Sequence, residues 1–124
     1  MRFLFSTAIF CTALAACQDV PSSGKGKAKQ LATQEDMSAV FGKTLTLNAG
    51  QSIVILEDGT LSGSWDGTPI VGTYVMKDGF FCRTLSQGPS GPSAEDCQLF
   101  VLDGNQLMGT RNRGEGASFT YTVS

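Results

Sequence analysis

Histidine is absent from this chain of 124 residues. The absence removes the most common general base and the most common metal ligand of proteins. It excludes Ser-His and Cys-His nucleophilic mechanisms, and it excludes zinc sites that depend on imidazole. The sequence also lacks a D-x-D-x-D-G calcium loop. We therefore expect no metal, no cofactor and no enzyme activity, which leaves binding or interaction as the expected function.

Basic residues are scarce in the part of the chain that is expected to fold. Beyond residue 30, five Lys and Arg stand against ten Asp and Glu, a net charge of −5. Nucleic-acid-binding domains need basic patches. The charge balance therefore argues against a nucleic acid as the partner.

No apolar run is long enough to form a membrane-spanning helix, which needs about 20 residues. The longest run, residues 3–16, follows Arg2 and has the layout of a secretory signal peptide. It ends in L-A-A-C rather than in A-x-A. Residues 1–16 are therefore predicted to be a processing signal that is removed before Cys17.

The sequence L-A-A-C at residues 14–17 resembles the lipobox of bacterial lipoproteins. The resemblance implies that the Cys17 thiol carries a diacylglyceryl group and that its amino group is acylated, commonly with palmitate. Two or three acyl chains anchor a protein stably to a membrane. The expected location is the cell envelope, facing the periplasm, and Gln18 after the cysteine favours the outer membrane over the inner. The alternative is a cleaved signal with an unlipidated Cys17.

Cysteine counting leaves one further pair. Of the four cysteines, Cys11 is removed with the signal and Cys17 takes the lipid, which leaves Cys82 and Cys97. In an oxidising compartment these two are expected to form a disulfide. Closing a loop of about 16 residues adds roughly 3 kcal/mol to the free energy of unfolding in the chain-entropy model. Two separate buried thiols remain the alternative.

The segment after the signal is polar and lacks periodicity. Residues 18–30 are rich in Gly, Ser and Lys, a composition that cannot bury enough surface to order itself. We expect residues 17–30 to be the lipidated cysteine with a flexible tether, and residues 31–124 to be a single domain. The tether lysines either contact anionic headgroups or are simply solvated; they are Lys25, Lys27 and Lys29.

The domain is predicted to be mostly β, with one short helix at residues 33–41. Thr33 is a suitable N-cap. Four Asp-Gly pairs separate short runs of strand formers, and Asp-Gly favours hairpin turns. We predict an eight-stranded antiparallel meander that forms a small barrel or a sandwich. The predicted strands are 44–48, 52–57, 60–65, 69–76, 80–86, 97–102, 105–111 and 117–123.

Two segments, residues 61–65 and 70–74, share the pattern apolar-x-Gly-x-aromatic. On a strand these three residues lie on one face. They are either core or one wall of a ligand cavity. In the second case Trp65, Tyr74 and Phe81 are the binding residues.

Two more features of the sequence suggest binding. Arg83, Arg111 and Arg113 are candidates for an anion site, because Arg111 and Arg113 would share one strand face and guanidinium suits carboxylate and phosphate. The alternative is a set of surface salt bridges with Glu115, Asp96 or Asp103. The longest irregular stretch, residues 86–96, is either a binding loop or tolerated length.

Residues 77–83 (K-D-G-F-F-C-R), 96–98 (D-C-Q) and 111–119 (R-N-R-G-E-G-A-S-F) resemble a group of small exported alphaproteobacterial proteins. The resemblance covers most of the mature domain and departs at Tyr74 and Met76, where the group has tryptophans. It implies no established activity.

Members of that group are often labelled dihydrodipicolinate reductase. Such an enzyme needs G-x-G-x-x-G at the start of a helix in a βαβ unit. The nearest string, G-T-R-N-R-G-E-G at residues 109–116, has the wrong spacing and strand-like flanks. The sequence does not support the label.

The leading hypothesis from the sequence is therefore a lipid-anchored, non-enzymatic interaction module. It would engage another envelope protein through the 86–96 loop. The alternative is a carrier that holds a small ligand in an aromatic-lined barrel cavity.

Overall fold

The computed structural model describes residues 28–124. The signal peptide, Cys17 and most of the predicted tether lie outside the described residues. Within residues 28–124, no helix has both the length and the apolarity needed to cross a bilayer.

The described chain is a closed barrel of eight antiparallel strands, with one extra short strand and two short helices. Each strand from β2 to β8 pairs with the next, and β9 pairs back with β2. The predicted meander is confirmed, and it forms a barrel rather than a sandwich. The elements are β1 Lys29–Gln30, α1 Gln34–Met37, β2 Thr44–Asn48, β3 Gln51–Ile55, β4 Thr60–Trp65, β5 Thr68–Lys77, β6 Phe80–Gln87, β7 Ser93–Asp103, β8 Gln106–Thr110, α2 Arg111–Gly114 and β9 Ser118–Val123.

Two of the Asp-Gly pairs form two-residue hairpin turns. Asp66 and Gly67 join β4 to β5, and Asp78 and Gly79 join β5 to β6, all four with positive φ. This is the backbone of a type I′ turn, which matches the twist of the flanking strands. The turns fix the register, so that alternate residues of β5 face the barrel interior and the solvent.

The N-terminal helix is shorter than predicted. It begins at Gln34 and ends at Met37, with a capping box between Thr33 and Asp36. The Asp36 carboxylate accepts the Thr33 N–H, and the Asp36 N–H donates to the Thr33 hydroxyl. The chain continues in turns to residue 42, and Val40 is still buried there. The predicted N-cap is therefore confirmed, while the second half of the predicted helix is not helical.

The folded unit begins before residue 31. Lys29 pairs with Leu102 and Gln30 with Val101, so that β1 adds a ninth strand beside β7. The Lys29 ammonium lies 3.1 Å from an Asp36 carboxylate oxygen. The prediction that the tether extends to residue 30 is therefore wrong at its last two residues, because they find open backbone partners on β7.

One end of the barrel is closed by packing. Leu31, the α1 residue Met37 and the following Val40 are buried there. Below them three rings stack in the order Tyr74, Phe81, Phe100. The ring centroids of Tyr74 and Phe81 are 5.0 Å apart, and those of Phe81 and Phe100 are 4.6 Å apart. We call this end, with the turns at 57–58, 78–79 and 104–105, the closed end.

The opposite end carries the turns at 49–50 and 66–67 and the loop at 88–92, while α2 packs against β7 and reaches Asp78 through Arg113. We call this opposite end the mouth. Here β7 begins at Ser93 and pairs first with β6, and it meets β8 only from Leu99 onward. The predicted 86–96 loop is therefore too long at both ends, because β6 runs to Gln87 and Ser93 is already in β7.

Cys82 and Cys97 form a disulfide, as predicted. They are direct cross-strand partners on β6 and β7. The bond therefore joins two strands that are already paired.

Candidate functional site

A cavity of about 410 Å³ opens at the mouth of the barrel. Its walls come from β2, β4, β6, β7 and β9, and the 88–92 loop forms its rim. A smaller pocket of about 90 Å³ lies among the same residues and continues between Ile53, Leu61 and Ile70. The side chains that line the cavity include Leu47, Trp65, Arg83, Leu85, Gln98, Arg111, Phe119 and Tyr121.

Arg83 is the unusual member of this lining. It lies on β6 midway between Phe81 and Leu85. Because side chains alternate along a strand, all three face the barrel interior. Its Nη1 is buried and has no hydrogen-bond partner. Among residues 28–124, no salt bridge involves Arg83. Burial lowers the pKa of Arg83, although nearby Asp96 acts to raise it.

Asp96 is the direct cross-strand partner of Arg83, but other donors occupy its carboxylate. The Arg111 Nε and the Gln98 Nε2 each donate to Oδ2 at 2.9 Å, and the Asn112 N–H donates to Oδ1 at 3.1 Å. Burial acts to raise the pKa of Asp96, but these donors together outweigh burial and lower it. Asp96 is thus held ionised by α2 and Gln98, and leaves the Arg83 guanidinium without a carboxylate of its own.

The short helix α2 is what turns Arg111 toward Asp96. Asn112 and Arg113 have φ of 52° and 55°, so the chain reverses sharply after β8. The prediction that Arg111 and Arg113 share a strand face is therefore wrong. Arg113 instead lies outside the cavity, with its Nη2 3.4 Å from Asp78 and its guanidinium 5.0 Å from the Phe80 ring centroid.

Tyr121 adds a polar group to the same cavity. It is buried on β9, and burial raises the pKa of its hydroxyl to about 12 although nearby Arg83 acts to lower it. The hydroxyl is therefore neutral at physiological pH and remains able to donate a hydrogen bond. Phe119, two residues earlier on β9, packs edge-on against the Tyr121 ring at 5.2 Å between centroids.

The structure brings three of the predicted binding residues together at the mouth, namely Trp65, Arg83 and Arg111. Tyr74 and Phe81 do not line the cavity. Both face the interior at the closed end, where the ring stack and α1 fill the space. The sequence reasoning missed Gln98, Phe119 and Tyr121, although the alternation F-x-Y on β9 is a signal that two aromatic side chains share one face.

The glycines of the shared apolar-x-Gly-x-aromatic pattern lie where neighbouring strands approach closely. A Cβ on Gly63 would lie 2.1 Å from the Ser52 carbonyl oxygen, and one on Gly72 would lie 2.5 Å from the Thr84 carbonyl oxygen. These glycines therefore admit the backbone of a neighbouring strand, not an aromatic ring. They allow close strand approach in a small barrel.

One group of metal-ligand residue types occurs among residues 28–124, and it consists of Cys82, Glu95 and Cys97. The two sulfurs are bonded to each other in the disulfide. Thiolate is the form of cysteine that binds metals. The group therefore offers only the Glu95 carboxylate while the disulfide is intact.

Comparison with family models, with curated proteins and with solved structures gives no match for this chain. The site is therefore interpreted from its own geometry.

Asp96 gives the cavity wall a predictable pH dependence. Because folding lowers its pKa, its stabilising effect is fully present above the unfolded value of about 4 and is lost as pH falls through the folded value. We expect Asp96→Asn to lower the free energy of unfolding at pH 7 by about 1–3 kcal/mol, since it removes the negative charge and replaces one of the two acceptor oxygens with an amide donor. The difference in the free energy of unfolding between the variant and the native protein should become smaller below pH 4.

Denaturant unfolding at pH 7 and at pH 3 measures this effect. Asp103→Asn is the matched control, because Asp103 is exposed beside the turn at the closed end. An Asp96→Asn variant that loses as much stability at pH 3 as at pH 7 would contradict the assignment.

Proposed function

We propose that the protein is a non-enzymatic carrier that binds a small ligand in the cavity at the barrel mouth. One observation supports this above the others: the cavity of about 410 Å³ has apolar walls and a few polar groups that converge on it. Small-molecule sites typically have volumes of about 300–1,000 Å³ and this mixed lining. The filled closed end means that a ligand has one entrance.

The proposal also places the carrier in the cell envelope, attached through lipid on Cys17. Its support is the L-A-A-C sequence at residues 14–17 together with the cross-strand disulfide. Disulfides persist in oxidising compartments such as the periplasm.

An interaction module remains the second candidate. The observation that favours it is the outer face of β5, where Val71 and Val75 are 43% and 54% exposed. Large exposed apolar patches mark partner surfaces. Two valines separated by Thr73 make a small patch, so we rank this candidate below the carrier. The 86–96 loop was predicted to contact a partner, and its residues 88–92 form part of the cavity rim.

The cavity can be tested with its own fluorophore, because Trp65 is the only tryptophan of the chain and lines the cavity. We expect 8-anilinonaphthalene-1-sulfonate to bind at one saturable site and to receive energy from Trp65. Ser93→Phe places a ring in the cavity wall and should weaken this binding by about tenfold, equivalent to about 1.4 kcal/mol.

Thr122→Phe is the matched control, since it adds the same ring on the exposed outer face of β9. It should leave the affinity unchanged, and the melting temperature of each variant confirms folding. If a folded Ser93→Phe variant binds the dye as tightly as the native protein does, the cavity is not the binding site.

A further inference from the structure

We infer that the ligand is a compact organic acid whose carboxylate pairs with Arg83 and whose apolar body lies against Trp65 and Phe119. The inference rests on the proposed carrier function and names the chemical class of its ligand. It is carried by a buried guanidinium nitrogen without a partner on the lining of an open cavity.

A buried cation without a partner is costly to a fold. Buried charged groups in proteins are normally paired and hydrogen-bonded. The Arg83 Nη1 has neither an acceptor nor a salt-bridge partner among residues 28–124. A ligand carboxylate at the mouth supplies the missing acceptor once the Arg83 side chain, which lines the cavity, turns its buried Nη1 toward that space.

The local charge count favours a monoanion. The polar side of the cavity contains Arg83 and Arg111, and one carboxylate, Asp96, lies beside them. One positive charge therefore remains in a domain whose net charge beyond residue 30 is −5. A single carboxylate neutralises this charge, whereas a phosphate dianion would bring an excess negative charge into a largely apolar cavity.

The hydrogen-bond donors suit a planar acid. A guanidinium forms two parallel N–H···O bonds with a carboxylate, a geometry that adds specificity. The neutral Tyr121 hydroxyl shares the cavity with Arg83 and is able to donate to the same group. Both donors lie on the cavity walls and not at its rim, so the carboxylate end of the ligand enters the cavity before its apolar body.

The walls limit the rest of the ligand to a short apolar body. Leu47, Trp65, Leu85 and Phe119 line the cavity, and a small pocket of about 90 Å³ continues from it between Ile53, Leu61 and Ile70. The stack of rings at the closed end blocks any deeper path. The cavity therefore fits an aromatic or branched acid, and a long acyl chain finds no channel.

Isothermal titration with 2-naphthoate and with its neutral isostere 2-naphthamide tests the inference. We expect the native protein to bind the acid at least about tenfold more tightly than the amide, which corresponds to one charged hydrogen-bonded contact. Arg83→Met should abolish this preference while leaving the amide affinity within about twofold. Arg113→Met is the matched control, because Arg113 lies outside the cavity, and it should keep the full preference.

The outcomes separate the two proposals. Equal binding of acid and amide by the native protein, unaffected by Arg83→Met, would overturn the carboxylate inference and leave the carrier proposal standing. Failure of both probes and of the fluorescent dye to bind would overturn both. Should Arg83→Met fail to fold, Arg83→Gln, which removes the charge but keeps a polar head, is titrated in its place with the same expected loss of preference.

A second readout excludes a purely structural role for Arg83. In the ligand-free state, Arg83→Met is expected to melt at a higher temperature than the native protein, because a half-buried charge whose Nη1 has no hydrogen-bond partner is removed. Saturating 2-naphthoate should raise the melting temperature of the native protein and not that of the variant. A large fall in melting temperature for ligand-free Arg83→Met would show that Arg83 stabilises the fold, and would overturn the inference.

Discussion

Phe81→Ala is expected to lower the free energy of unfolding by about 3–5 kcal/mol, the usual cost of deleting a buried ring. Phe81 is 1% exposed and lies between Tyr74 and Phe100 in the ring stack. Both neighbours lose a stacking partner, and strands on three sides limit collapse of the space. Urea or guanidinium unfolding followed by circular dichroism measures the change.

Phe80→Ala is the matched control, since Phe80 precedes Phe81 on β6 and faces outward, where Arg113 lies over its ring. It should cost only about 1 kcal/mol, as expected for a partly exposed side chain with one cation–π contact. Equal losses for the two variants would contradict the assignment of Phe81 to the core.

Trp65→Ala should show that the two ends of the barrel act independently, since it removes dye binding at the mouth while the ring stack at the closed end stays intact.

Removing the disulfide is expected to destabilise the domain by about 3 kcal/mol, the value for a loop of about 15 residues. Cys82 and Cys97 are 15 positions apart in the chain and directly opposite in the sheet. The double variant Cys82→Ala, Cys97→Ala should therefore melt well below the oxidised protein. Arg83 and Asp96 follow and precede these cysteines, so we also expect weaker binding of 2-naphthoate.

The native protein in reductant is the control for this prediction. Its melting temperature should fall close to that of the double variant, and the double variant itself should not respond to reductant. A native melting temperature that is unchanged after complete reduction, verified by thiol titration, would contradict a stabilising role for the bond.

The strands were predictable because their signals are local. Asp66-Gly67 and Asp78-Gly79 specify two-residue turns by their own backbone preferences, and alternation in the flanking residues specifies which side faces inward. The closure of β9 on β2 is different. It pairs Leu45 with Val123, and neither segment alone contains a signal that identifies the other as its partner strand. Barrel and sandwich therefore remained alternatives until the structure was known.

The candidate site was predicted only in part, for a related reason. Trp65 and Arg83 were identifiable as polar or aromatic side chains on inward-facing strand positions. Tyr74 and Phe81 have the same pattern, and only the position of α1 decides which end of the barrel is filled. Arg111 and Arg113 were placed wrongly because two consecutive non-glycine residues with positive φ are rare.

The contact of β1 with β7 decides how the barrel is presented when it is held by its N-terminal side. Lys29 pairs with Leu102, one residue from the end of β7, so the described chain enters at the closed end. The mouth lies at the opposite pole. A barrel immobilised directly through Ala28, on a bead, a sensor chip or a vesicle, therefore has its entrance on the side away from the support. Its ligand arrives by three-dimensional diffusion from the bulk solution, not by sliding along the support.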